Sequence, residues 1–271
     1  MLDRRIATFD IETIPDPDLG RRLLGLEGDD AAVVREMVRR KLDETGGRTD
    51  YPQSPWHRIV SVCVTLLDPA SSNVEIRALG GDPFDERSHV AGFYRLFDES
   101  PDSIRLVSWN GRGFDLPVLR YRAMMLGVAA PGFYRDDEER RANNYLGRYH
   151  DLHVDLMDVL SGHGASSRVG LGTLGPVLGL PGKTLLDRPI YEHVLDGEAE
   201  RVTEYCKLDT LQTLLVFLSW AFHCGQLSRE DLRRHVDGVR AAVDTLAYPA
   251  WREVRTLLEH WPAWAQQTPA P

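Results

Sequence analysis

Two carboxylates alternate inside an otherwise apolar strand at the very start of this chain. In RRIATFDIET, Ile6, Thr8 and Asp10 alternate with Ala7, Phe9 and Ile11. Side chains two apart on a strand share a face, so Asp10 and Glu12 project together. Two unpaired carboxylates buried there would be costly unless a cation compensates them or they lie at the edge of the sheet. Whatever fold this strand enters must provide one or the other.

The rest of the chain reads as alternating elements. From Asp16 to about Pro55 it is polar and helix-prone. AAVVREMVRRKLDE has its apolar residues Val33, Val34, Met37, Val38 and Leu42 at amphipathic-helix spacing, and the turn formers of TGGRTDYPQSP follow. HRIVSVCVTLLD is a β-branched strand, and NVEIRALGG is its hairpin partner across PASSN. The pattern then predicts a helix over Glu86–Glu99, a strand in SIRLVSWN, a helix in DLPVLRYRAMMLG and an Arg-rich loop from Gly132 to Asp151. HVDLMDVLSG and GTLGPVLGL read as short helical pieces, Glu198 to Cys224 as a long helix, and Ser228 as the start of a final one. That order predicts one α/β domain, a mixed sheet of about five strands flanked by helices. Residues 1–225 form its body with a helical insertion at about 16–55, and residues 226–271 are a helical extension packed on it.

At 271 residues, 42% hydrophobic and 27% charged, the composition is that of an ordinary globular protein. No apolar run approaches the roughly 18 residues that cross a bilayer, and no secretory signal opens the chain, so a cytoplasmic protein with no membrane partner is expected. Cys63, Cys206 and Cys224 are isolated and suggest neither disulfides nor zinc. A net charge of −9 argues against gripping long duplex DNA through its phosphates, but not against holding a few nucleotides of a strand end.

Two further segments bear on the first strand. In SIRLVSWNGRGFDLPVL an apolar strand runs into a Gly-rich turn, and Asp115 stands at a helix start with Pro117 in its first turn. Taken alone, Asp115 reads as a helix N-cap. In YCKLD, Tyr205 and Asp209 are four apart and share a helix face, flanking the stripe of Leu208, Leu211, Leu215, Leu218 and Phe222. Alone, they read as a core-edge aromatic and a solvated charge. Together with Asp10 and Glu12 they fit one chemical design.

These segments resemble the exonuclease domain of family B DNA polymerases, within the tyrosine subgroup of the DEDD superfamily of 3′–5′ exonucleases on the RNase H-like fold. Phe9-Asp10-Ile11-Glu12-Thr13 resembles its D-x-E motif, and Asn110 through Pro117 is similar to N-x-x-x-F-D-x-P. Tyr205 through Asp209 looks like Y-x-x-x-D, while HVDLMDVLS and GLPGK resemble parts of stand-alone bacterial relatives. The resemblance covers most of residues 1–225; the insertion at 16–55 and the Arg-rich stretch from Tyr134 to Arg148 depart from the minimal pattern.

The resemblance implies a two-metal hydrolysis of phosphodiesters at single-stranded DNA 3′ ends, releasing nucleoside monophosphates. Carboxylate oxygens suit Mg²⁺ or Mn²⁺ better than zinc. It implies that Asp10 bridges both cations, that Glu12 and Asp209 complete one site, that Asp115 holds the second ion, and that Tyr205 orients the attacking water. Asn110 and Phe114 are candidates to seat the terminal nucleotides, although Phe114, like Trp109, also reads as core. Arg112, Arg120, Arg148 and Lys183 are candidate phosphate contacts against a plain reading as solvated surface. Asp155 and Asp158 read as helix-start residues or as a secondary site. His150 and His153 read as ordinary polar residues more readily than as metal ligands. The competing readings are an exoribonuclease of the same superfamily, similar to RNase D or oligoribonuclease, a haloacid dehalogenase-like phosphatase, and a non-catalytic nucleic-acid binder. FDIET resembles the phosphatases' D-x-D-x-T loop, but Glu12 stands where their second aspartate belongs. The residues after about 225 are too few for a polymerase, so any proofreading is expected in trans, with a polymerase or repair protein as partner.

Overall fold

The computed structural model describes residues 2–82, 85–99, 104–135, 145–147, 152–180 and 185–263. Its centre is β1 (Arg5–Pro15), which pairs antiparallel with β2 (His57–Leu67) on one side and parallel with β4 (Ile104–Ser108) on the other. β2 continues antiparallel to β3 (Val74–Leu79), and β4 parallel to β5 (His153–Asp155), giving the order β3-β2-β1-β4-β5. This is the mixed five-stranded sheet of the expected α/β fold.

The alternation along β1 decides what each face meets. Ala7, Phe9 and Ile11 point to the face covered by α3 (Glu86–Glu99) and α4 (Asp115–Leu126), where they pack with Val62, Phe93 and Leu119. Ile6 enters the opposite cluster, built on α8 (Ala199–His223) with α9 (Arg229–Asp244) and α10 (Trp251–Leu258) behind it. Thr8, Asp10 and Glu12 share the Ile6 side by their spacing and therefore face α8. A bulge in the β1–β2 register falls directly after Glu12.

The insertion folds into α1 (Pro17–Leu24) and α2 (Asp30–Thr45), N-capped by the Asp16 and Asp29 side chains. They pack closely at Gly20, where a Cβ would lie 2.7 Å from Val33 Cγ1 and from Met37 Sδ. Leu26, Val33 and Met37 close this small core against Trp56. Asp16 also anchors the insertion to the body: buried Arg122 on α4 bonds Asp16 Oδ2 (2.7 Å) and Glu86, whose Oε1 also accepts the Ile59 N–H (2.7 Å).

Two expectations change. HVDLMDVLSG opens as a strand, not a helix: β5 pairs with Leu106–Ser108 before α5 (Leu156–Leu160) begins. Three residues are too few for alternation to register, and partner β4 supplies the ladder. The C-terminal region is two helices; α9 starts in a capping box between Ser228 and Asp231. Two short helices, α6 (Leu171–Val177) and α7 (Ile190–Leu195), precede α8. Among the described residues no helix is long and apolar enough to cross a membrane.

Candidate active site

The site begins where β4 leaves β1. Their pairing runs from Arg5–Ile104 to Thr8–Val107, and the chain then turns through residues 109–114. Asn110 adopts a left-handed φ of 64° in that turn. Gly111 lies so close to Ser108 that a Cβ would stand 2.6 Å from its Oγ. Asp155 at the end of β5 fixes the turn by accepting the N–H groups of Asn110 (3.0 Å) and Arg112 (2.9 Å). The chain then enters α4 with Asp115 aimed back at β1, where its Oδ1 accepts the Ile11 N–H at 3.2 Å. Asp115 is thus not the N-cap. Phe114 holds that position and makes no side-chain cap bond.

Helix α8 packs across β1 and β2, and its register is set by polar contacts. Thr8 Oγ1 donates to Thr210 O (2.8 Å), Thr65 and Thr210 share a hydroxyl bond (2.8 Å), and Cys206 Sγ donates to Asp10 O (3.4 Å). One donor atom from each of Asp10, Glu12 and Cys206 lies within 4.8 Å of the others. Tyr205 and Asp209 flank Cys206 on the same helix and are buried. Burial lifts the Tyr205 phenol above its ordinary range, reinforced by the charges of Asp209, Glu12 and Asp10 and by a hydrogen bond to Asp209. Burial also pushes Asp115 up to about 7, with Asp155 and Asp209 adding to the rise and the Ile11 N–H opposing it.

Three sequence-distant segments therefore bring Asp10, Glu12, Asp115, Tyr205 and Asp209 into one electrostatically connected cluster. The donors are hard oxygens. The one sulfur, on Cys206, is held protonated by burial and by the neighbouring carboxylates, and a thiol is a poor metal ligand. That donor set fits Mg²⁺ or Mn²⁺ and not zinc.

The remaining candidates separate. Phe114 packs edge-on against His57 (5.0 Å) and Tyr51 (5.8 Å), so its ring is a buttress. Arg112 turns its guanidinium to the carbonyls of Leu146 (2.9 Å), Gly147 (2.9 Å) and His153 (2.7 Å), clamping loops where a phosphate contact was expected. Arg120 donates to Leu116 O (3.2 Å) and lines a second cavity with Asn110, Asp155 and Asp158. Asp155 caps α5 through the Asp158 N–H (3.3 Å). Trp109 packs on the α8-side core. His153 is enclosed between Ser108 Oγ (2.8 Å) and Tyr145 O (3.2 Å), and burial lowers it to about 3, so it stays neutral and structural. Lys183, Arg148 and His150 lie outside the described residues. Sequence reasoning missed Tyr51 and Cys206: Tyr51 stands in a run of turn formers, and Cys206 reads as a small hydrophobe.

A carboxylate cluster of this kind on a mixed α/β sheet is the centre of a nuclease-type domain. Residues 49–267 match the family described as a predicted 3′–5′ exonuclease related to the exonuclease domain of PolB, and the chain belongs to that family. The match takes in Asp115, Tyr205 and Asp209 and begins beyond the strand that carries Asp10 and Glu12. The structure is similar to that of the family B DNA polymerase from the hyperthermophilic archaeon Pyrobaculum calidifontis, with 19% identity and a TM-score of 0.48. That likeness covers 93% of this chain and 29% of the polymerase, so the chain spans less than a third of it. None of the curated proteins compared matches the chain.

Proposed function

We propose that this chain is a metal-dependent 3′–5′ exonuclease that removes nucleotides from single-stranded DNA 3′ ends. The observation that carries the reading is the register of α8, which lays Tyr205 and Asp209 against Asp10 and Glu12 while α4 delivers Asp115 beside them. Two divalent cations would be held by Asp10, Glu12, Asp209 and Asp115. When bound, they supply the charge that activates water and relieves the leaving 3′-oxygen.

The protein's own groups do the rest. Asp115 shares its charge with the β1 backbone through Ile11, which fixes its direction. Tyr205, kept protonated by its surroundings, serves as a hydrogen-bond donor that orients the attacking water and is no base. Water adds to phosphorus, the bond to the 3′-oxygen breaks, and a nucleoside 5′-monophosphate leaves. A polymerase or repair protein in trans would supply the ends.

The test uses 5′-labelled single-stranded DNA and RNA of equal sequence with Mg²⁺, Mn²⁺ or EDTA, beside Asp209→Ala. The expected result is a metal-dependent ladder shortening from the 3′ end of DNA and absent in the variant. A ladder on RNA alone would move the substrate to RNA, and no cleavage of either strand in any metal would sink the exonuclease reading.

A further inference from the structure

Beside the carboxylates lies a cavity of about 330 Å³ that the motifs do not account for. Thr13, just beyond Glu12, and Tyr205 form the wall it shares with the site. The insertion supplies a second wall through Val38 and Tyr51, and α7 a third through Ile190 and Tyr191. Its size falls at the small end of ligand cavities, which run from roughly 300 to 1,000 Å³.

Tyr51 is the unusual residue in it. The side chain is 53% exposed, yet its ring is held in place: it lies 6.0 Å from the His57 ring and edge-on to Phe114 at 5.8 Å. His57 is the brace beneath. Its Nε2 donates to Pro52 O (3.1 Å), and burial holds the imidazole in its neutral form. Its Nδ1 therefore accepts from the Thr13 hydroxyl (2.8 Å). One neutral histidine thus ties the loop carrying Tyr51 to the strand carrying the carboxylates. The Tyr51 phenol also feels the charges of Glu12, Asp10 and Asp115, which places the hydroxyl toward them.

A half-exposed aromatic, braced from behind, opposite a second aromatic and continuous with a phosphodiester site has one fitting occupant. We propose that this cavity seats the 3′-terminal nucleobase of a single strand against the rings of Tyr51 and Tyr191, making the insertion a substrate-positioning element. The inference rests on the exonuclease reading for the identity of the strand end. A phosphate is the poorer fit, because Arg188, which lines the rim, is already bonded to Asp196 and to Glu198 (3.2 Å). Every base has a π-face, so the seat requires an unpaired terminal base without choosing among the four.

The test follows the base and the chemistry separately. Oligonucleotides carrying 2-aminopurine as the 3′-terminal base are titrated with protein in Ca²⁺, and their fluorescence is read. Wild type is expected to quench the probe at least about two-fold, Tyr51→Phe to keep the quenching, and Tyr51→Ala and Tyr191→Ala to relieve it while melting like wild type. In Mg²⁺, kcat/KM is then compared for a natural 3′ end and one whose last nucleotide is abasic. Wild type is expected to favour the natural end by roughly 5- to 150-fold, the range for stacking one base on an aromatic ring, and Tyr51→Ala to bring the ratio near one. Quenching that survives Tyr51→Ala, or an end preference the variant leaves intact, would overturn the base seat. Quenching without cleavage by wild type would overturn the nuclease reading and leave the seat standing.

Discussion

Asp115 carries the clearest electrostatic consequence at the level of single residues. Its folded value of about 7 stands well above the ordinary ~3.9, because burial favours the neutral acid. In chelator, its contribution to stability is therefore fully present below about pH 4 and is lost as pH rises through about 7. A bound cation acts in the opposite sense, because it needs the carboxylate and must displace the proton. The rise in melting temperature produced by Mn²⁺ over EDTA should accordingly grow from pH 5 to pH 8 and level off above that. His153, lowered to about 3 by burial, also titrates on unfolding, but it does so with or without cation and cancels in the difference. A difference independent of pH would show that Asp115 binds no ion. For Tyr205, removal of the hydroxyl alone should leave the carboxylates in place. Tyr205→Phe is expected to slow turnover by roughly 10–100-fold, the usual loss for a partner group beside a metal site, with KM little changed. A loss as complete as that of Asp10→Ala would count against an orienting role.

The elements meet the site through polar joints that no periodicity announces. The turn after β4 depends on Asp155, so Asp155→Ala frees two backbone N–H groups and lets Asn110 relax from its left-handed conformation. Steady-state kinetics at saturating Mn²⁺ should show activity falling roughly 10–100-fold, with a melting temperature close to that of wild type. An unchanged rate would mean that the turn holds itself. At the root of the insertion, Arg122→Ala strands the buried acids Asp16 and Glu86, and urea denaturation should register a loss of about 3–5 kcal/mol. β1, β2, α3, α4 and α8 were legible because each is long enough to show its period and ends on a turn former. Asp10, Glu12, Asp115, Tyr205 and Asp209 were legible because two carboxylates on an apolar strand demand an explanation that two distant motifs supply. β5 was not, since three residues show no alternation. Arg112 was misplaced because charge says nothing of direction: three loop carbonyls claim its guanidinium. Tyr51 acquires its meaning only from the strand and helix folded around it.

At the scale of the whole molecule, acidity and substrate pull against each other. The chain carries a net charge of −9, and its carboxylate cluster is wrapped by α8, whose outer side is locked to the C-terminal helices. Trp251 on α10 donates to Glu204 Oε2 (2.6 Å), and Glu204 Oε1 holds Lys207 (2.6 Å), so even a lysine next to the site is spent internally. At Gly238, α9 approaches the β2–β3 hairpin so closely that a Cβ would stand 2.0 Å from Ser72 O, which fixes that layer to the sheet. A protein built this way has no continuous basic track for a long strand, and its affinity for an end must come from bound cations and from stacking. Binding that neutralises few phosphates releases few counterions. Between 50 and 200 mM salt, kcat/KM on a single-stranded oligonucleotide should therefore fall by less than about 10-fold, against roughly 10³–10⁵ for proteins that make 6–10 phosphate contacts. Lengthening the strand from four to twenty nucleotides should change kcat/KM little for the same reason. A steep salt dependence that grows with strand length would instead reveal an extended phosphate-binding path leading away from the carboxylates, and recognition confined to the strand end would have to be abandoned.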